Sequence, residues 1–152
     1  MPPFQSVWFT LHMIFGSLAY ASLLISMIFS IMYLVLYRSL KLKKFDLFFE
    51  RFLPLSVLGN MNYEAIVAGV VCLALMIPLG VGMVYQHFGE WIWDIKYLSV
   101  FFIFIVYLTG ALIGRFAGWR GNRLALYSIF SMAVLIMTLA VSMMVSSSHK
   151  WN

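Results

Sequence analysis

The sequence predicts an all-α fold, a four-helix transmembrane bundle with both termini on the outer side of the membrane. Three observations carry that prediction. Hydrophobic residues make up 64% of the 152-residue chain and charged residues only 10%, against about half and about a quarter in a soluble domain. A chain this short has no interior large enough to hide so much apolar surface from water. The apolar residues fall into four long runs, and the basic residues gather in two of the segments between them.

A hydrocarbon core about 30 Å thick is crossed by roughly 20 helical residues. The first run, residues 7–37, exceeds that length and must tilt or protrude. The second covers residues 65–85, the third 97–113 and the fourth 124–145. No stretch shows the short alternation of a membrane strand, and helices satisfy their own backbone hydrogen bonds in lipid. The chain therefore reads as one integral membrane domain over residues 1–152. In the 38–64 connection, Phe45, Leu47, Phe48, Phe49, Phe52 and Leu53 alternate with charges, the pattern of an amphipathic segment lying on a membrane surface. Glu64 stands at the expected start of the second span, where it would compensate the helix dipole. Pro78, with Gly80 and Gly82, predicts a bend in that span. Gly110, Gly114 and Gly118 have the small-xxx-small spacing of close helix packing. The first run lacks the basic leader of a cleavable signal peptide.

Direction follows from charge. The connection after the first span carries Arg38, Lys41, Lys43, Lys44 and Arg51, and the one after the third carries Arg115, Arg120 and Arg123. These eight of ten basic residues lie on one side of a four-span chain, and that side should be the cytoplasm. The outer loop, residues 86–96, and both termini then face outward, to the periplasm in a bacterial inner membrane. The net charge of +5 reads as membrane orientation and gives no reason to expect nucleic acid.

The chain has a single cysteine, Cys72, so an intrachain disulfide and a CxxC redox motif are excluded, as is the CxxCH of a covalent c-type haem. There is no Walker loop, HExxH, Ser-His-Asp arrangement or intramembrane acidic chain, and hence no stand-alone catalytic motif. The 11 methionines are spread along the spans as gap-fillers, not clustered as a copper site would be. Chemistry-bearing residues collect instead at the outer face. His12 lies near the outer end of the first span, Trp91, Trp93 and Asp94 lie in the outer loop, and His149 follows the fourth span. Imidazole is a common axial ligand of haem iron, although a histidine at a helix end also simply meets water or a headgroup. His87 is a reserve candidate as ligand, proton relay or interface residue. Tryptophan is enriched at membrane interfaces. In an extended WxW, however, both rings point the same way and can stack on a macrocycle, with Asp94 as a hydrogen-bond acceptor. The three features together suit a planar, iron-containing ligand.

These residues resemble the cytochrome c assembly family of membrane haem-handling proteins, its CcsA, ResC and HemX-like branch. The resemblance covers nearly the whole chain. Leu11-His12-Met13 through Tyr33-Leu34 is similar to the family helix that opens with an external haem-ligand histidine. Leu40-Lys41-Leu42-Lys43, Leu53-Pro54 and Asn62-Tyr63 resemble the loop that follows. Trp91-Ile92-Trp93-Asp94-Ile95-Lys96 resembles the core of the tryptophan-rich signature, usually closer to WxWDPKE, with Ile95 and Tyr97 where the family has proline and glutamate. Gly118-Trp119-Arg120-Gly121 resembles the inner loop before the last helix. Ser148-His149-Lys150-Trp151 falls where the family has its second external histidine. The stretch is similar to the last four spans of such a protein.

The resemblance implies non-covalent haem b, with His12 and His149 as axial ligands and Trp91, Trp93 and Asp94 against the macrocycle. It implies presentation of that haem to the CxxCH of an apocytochrome c, and a ResB- or CcsB-like membrane partner within the lipid bilayer. Such a chain would be one component of a haem-attachment system. Two other functions fit the same residues: a bis-histidine b-type haem subunit carrying electrons in a respiratory complex, and a cofactor-free membrane anchor or regulator.

Overall fold

The computed structural model describes residues 7–43, 54–88 and 95–148, with side chains over the same ranges except at 87, 88, 95, 96 and 145–148. Four helices account for nearly all of it: α1 (Val7–Lys41), α2 (Leu55–Phe88), α3 (Ile95–Phe116) and α4 (Asn122–Ser148). All four are long and apolar enough to cross a membrane, and the fold is an all-α, four-helix transmembrane bundle. At 1.5 Å per residue, α1 and α2 each run roughly 50 Å, well beyond the hydrocarbon core.

The helices pack as a ring in which α1 touches α2, α2 touches α3, α3 touches α4 and α4 returns to α1, the α1–α2 pair being the most extensive. Spacing explains that pair. Gly16, Ala19, Leu23, Ser26, Ser30 and Tyr33 are buried on α1. Asn62, Ile66, Gly69, Leu73, Met76 and Gly80 are buried on α2. Both sets alternate steps of three and four, the period that keeps one seam facing a neighbour. Small residues let the pair close up in the absence of a hydrophobic drive between helices. A Cβ at Gly69 would lie 2.6 Å from Leu23 Cδ2, and one at Gly16 would lie 3.0 Å from Met76 Sδ.

The main core joins Leu23 of α1, Ile66 and Leu73 of α2, Ile103 and Tyr107 of α3, and Leu124 and Leu135 of α4. Outward, Ile14, Leu18, Ile25, Ile28, Phe101, Phe130 and Met137 are exposed, the apolar exterior that lipid solvates. One polar cluster ties three helices together. The Ser26 hydroxyl lies 2.7 Å from Asn62 Oδ1 and 2.7 Å from Ser128 Oγ, so it donates to Asn62 and accepts from Ser128.

The structure departs from the sequence expectations in three places. Helix α2 begins ten residues earlier than expected, just after Pro54, whose carbonyl accepts from the Val57 and Leu58 N–H groups. Gly59, Asn60 and Asn62 give this stretch a loop-like composition, but Gly59 and Asn62 are packing positions of a helix. Glu64 thus lies in the third turn with an exposed side chain, too far in to compensate a dipole that fades within the first turn. Gly110 and Gly114 are close-packing positions as expected, and what they admit are tyrosine rings of neighbouring helices: a Cβ would meet Tyr127 at 2.6 Å and Tyr63 at 2.7 Å. Gly118 lies past the end of α3 with φ +63 and open space around it, so it serves the turn and not the packing. The amphipathic segment expected over Phe45–Leu53 lies outside the described residues.

Candidate functional site

His12 occupies the α1 seam one step before Gly16, and this register aims its ring at α2. Its Nδ1 lies 3.0 Å from the Met76 carbonyl oxygen. A carbonyl only accepts, so Nδ1 carries the proton and Nε2 keeps its lone pair. The ring rests on Gly80, where a Cβ would stand 2.9 Å from Cε1 and 3.0 Å from Nδ1. One turn earlier Trp8 lies over Gly82, whose Cβ would come within 3.2 Å of the indole. Trp8 and His12, four residues apart on α1, thus lie along a glycine-floored groove on α2. The Pro78, Gly80 and Gly82 cluster that suggests a bend in the sequence also provides this groove. Trp8 and Met76 escape sequence reasoning, as does the place of Gly80 beneath the His12 ring. The i, i+4 spacing of Trp8 and His12 was a signal, but its partner helix was not legible.

The contacts along the bundle show which ends meet. His12 near the start of α1 touches Gly80 toward the end of α2, Tyr63 near the start of α2 touches Gly114 near the end of α3, and Tyr33 of α1 touches Gly121 just before α4. Neighbouring helices are therefore antiparallel. The start of α1, the end of α2 at Phe88, the start of α3 at Ile95 and the end of α4 at Ser148 share one end of the bundle, called here the histidine end. Arg38, Lys41, Arg115, Arg120 and Arg123 lie at the other, the basic end. His12 is half-buried and sits about 12 Å below the end of α2, eight residues beyond Gly80. Trp91, Trp93, Asp94 and His149 lie outside the described residues, as does the side chain of His87. The helix ends that flank them are those of the histidine end. Among the described residues no three His, Cys, Asp or Glu side chains come together as a metal-binding group.

The arrangement suits a haem ligand. A ligating histidine usually donates its second ring N–H to a carbonyl or carboxylate, which fixes the tautomer and the ring plane and strengthens the ligating nitrogen. The Met76 carbonyl does this for His12 and leaves Nε2 as the nitrogen able to bind iron.

The four long apolar helices, with a hydrogen-bonded histidine near one end, define the class of polytopic α-helical membrane proteins. Over residues 1–149 the chain matches the family described as Cytochrome C assembly protein, and it belongs to that family. The chain is 27% identical to cytochrome c biogenesis protein CcsA of Heterosigma akashiwo, an alignment covering 100% of this chain and 58% of the relative. It is 31% identical to protein HemX of Bacillus subtilis over 83% of this chain and 46% of the relative. It is 28% identical to CcsA of Chlamydomonas reinhardtii over 89% of this chain and 37% of the relative. The chain thus spans about half the length of these relatives. No solved structure gives a significant match.

Proposed function

We propose that this chain takes part in cytochrome c biogenesis by holding haem b at the histidine end of the bundle, on the outer face of a bacterial inner membrane. His12 is the axial ligand through Nε2. His149 is the second ligand, and Trp91, Trp93 and Asp94 form the surface against which the macrocycle rests. The observation that carries this reading is the His12 Nδ1 bond to the Met76 carbonyl at 3.0 Å, which leaves Nε2 to coordinate. The membership of the chain in the cytochrome c assembly family supports it.

The protein's own contribution is positional. The α1–α2 seam holds His12 at a set height, Gly80 gives the ring room, and Met76 sets which nitrogen faces the ligand. Haem, when bound, supplies the iron and the vinyl groups that a CxxCH peptide of apocytochrome c requires. A ResB- or CcsB-like membrane protein is the expected partner in presenting that peptide. The test is an absorption spectrum of the purified protein, oxidised and reduced with dithionite. A low-spin b-type spectrum is expected, lost or converted to high-spin in His12→Ala and in His149→Ala. A wild-type spectrum in the double variant overturns the ligand assignment. A retained haem with unimpaired cytochrome c maturation after loss of both histidines and Trp93 overturns the biogenesis reading.

A further inference from the structure

The basic end of the bundle carries a recess that the haem reading does not use. A cleft of about 300 Å³ lies between the first two turns of α2, Tyr33 of α1 and the Arg120-Gly121 turn before α4. We propose that this cleft binds a phosphate oxyanion, supplied by the headgroup of an anionic phospholipid.

The charge in the cleft comes from Arg120. Its Nη1 donates to Asn60 Oδ1 at 2.6 Å, and its guanidinium carbon stands 4.9 Å from the Tyr63 ring centre. Both partners are neutral, so neither cancels the positive charge. A guanidinium has five N–H donors in a fork suited to two phosphate oxygens, and the Asn60 bond uses one. Glu64 is the only acidic residue among those described, and it does not line the cleft.

The backbone adds to this field. Leu55 and Ser56, the first two residues of α2, line the cleft, and so does Gly121, whose carbonyl accepts the Ala125 N–H as the N-cap of α4. The N-terminus of α2 and the N-cap of α4 therefore border the cleft; the Val57 and Leu58 N–H groups are bonded to the Pro54 carbonyl, and the first-turn N–H groups of Leu55 and Ser56 stand where an anion is favoured. Gly121 has φ +73, and a Cβ there would strike the Tyr33 hydroxyl. The tight approach of that turn to α1 closes the cleft on one side.

Lipid is the source that fits the position. The cleft lies where four apolar helices end, beside Tyr63, Trp119 and the Arg123 guanidinium 5.8 Å over the Trp119 ring. Aromatic and basic residues of this kind mark headgroup depth. Leu55 gives the cleft an apolar wall, which suits a glycerol ester and offers nothing to a free phosphate.

The test uses the full chain purified in dodecyl maltoside, with dioleoylphosphatidylglycerol or dioleoylphosphatidylcholine added and retention read by native mass spectrometry. The wild type should keep one phosphatidylglycerol in preference to phosphatidylcholine. Arg120→Gln should weaken that retention about tenfold or more, the loss of a charged hydrogen-bonding contact. Ser56→Asp should do the same by placing a like charge at the mouth. Ser56 is exposed in the first turn of α2, where a carboxylate favours the helix, so this variant tests the site without threatening the fold. Arg115→Gln, at the same end but outside the cleft, should bind as wild type. Equal retention in all four proteins overturns the proposal, as does a wild type that holds both lipids equally. A thermal stabilisation by inorganic phosphate alone, lost in Arg120→Gln, would overturn the lipid source in favour of a free phosphate.

Discussion

At the scale of single residues, which nitrogen of His12 is left free is decided by what stands behind the ring. Imidazole has two equivalent-looking nitrogens until one of them is engaged, and the Met76 carbonyl engages Nδ1. Gly80 makes that contact possible by leaving out a Cβ that would crowd Cε1 at 2.9 Å. Gly80→Ala is therefore expected to push His12 off Met76 and reduce haem retention while leaving the helix as stable or firmer, because alanine favours a helix over glycine by about 1 kcal/mol. Haem content per folded protein, with helicity by circular dichroism alongside, checks this. Unchanged haem content in a folded Gly80→Ala protein would remove the positioning role of the groove. Gly80→Ser is expected to behave like alanine, since the fault is the Cβ and not its polarity.

At the scale of elements, the α1–α2 seam is the structural axis, and its polar step is informative. Asn62 accepts from Ser26, which in turn accepts from Ser128, linking α1, α2 and α4. Ser30 lies one turn further along α1 with a buried hydroxyl that has no hydrogen-bond partner among the described residues. Ser30 and Asn62 should respond differently to truncation. Ser30→Ala is expected to be neutral or stabilising, within about 0.5 kcal/mol, since a hydroxyl without a partner gains nothing from burial. Asn62→Ala is expected to destabilise by about 1–2 kcal/mol, losing both an interhelical hydrogen bond and packing volume. Unfolding of the detergent-solubilised protein by heat or sodium dodecyl sulfate measures both. Equal losses at the two positions would mean that the polar step carries no interhelical bond. Gly114→Ala belongs to the same scale. Its Cβ would meet the Tyr63 ring at 2.7 Å and displace the ring that lies under Arg120, so a loosened contact between α2 and α3 is expected.

At the scale of the whole molecule, antiparallel packing of neighbours puts His12 at one end and the arginines at the other. The placement of basic residues predicts that the arginine end faces the cytoplasm. Cysteines introduced at Lys41 and at Lys150 should separate cleanly with a membrane-impermeant thiol reagent on intact cells. Only the Lys150 site should react. Labelling at Lys41 would invert the bundle and move the proposed haem face to the opposite side of the membrane.

What the sequence determined by itself is the class of molecule, the number of spans and the family. These follow from properties summed over many residues: apolar run length, charge placement and the Trp91-Ile92-Trp93-Asp94 and Gly118-Trp119-Arg120-Gly121 motifs. Such sums survive errors at single positions. The start of α2 was not legible, because Gly59, Asn60 and Asn62 have loop composition and become helical only when Asn62 and Leu58 are buried against neighbours. His12 was legible as a candidate, but its usable nitrogen was not, since the Met76 carbonyl is 64 residues away in the chain. Neither were the contacts of Arg120, whose partners Asn60 and Tyr63 lie sixty or so positions earlier. Periodicity and charge are local and can be read along the chain. The tautomer of a histidine and the company of an arginine are set by groups that only helix packing brings within hydrogen-bonding distance.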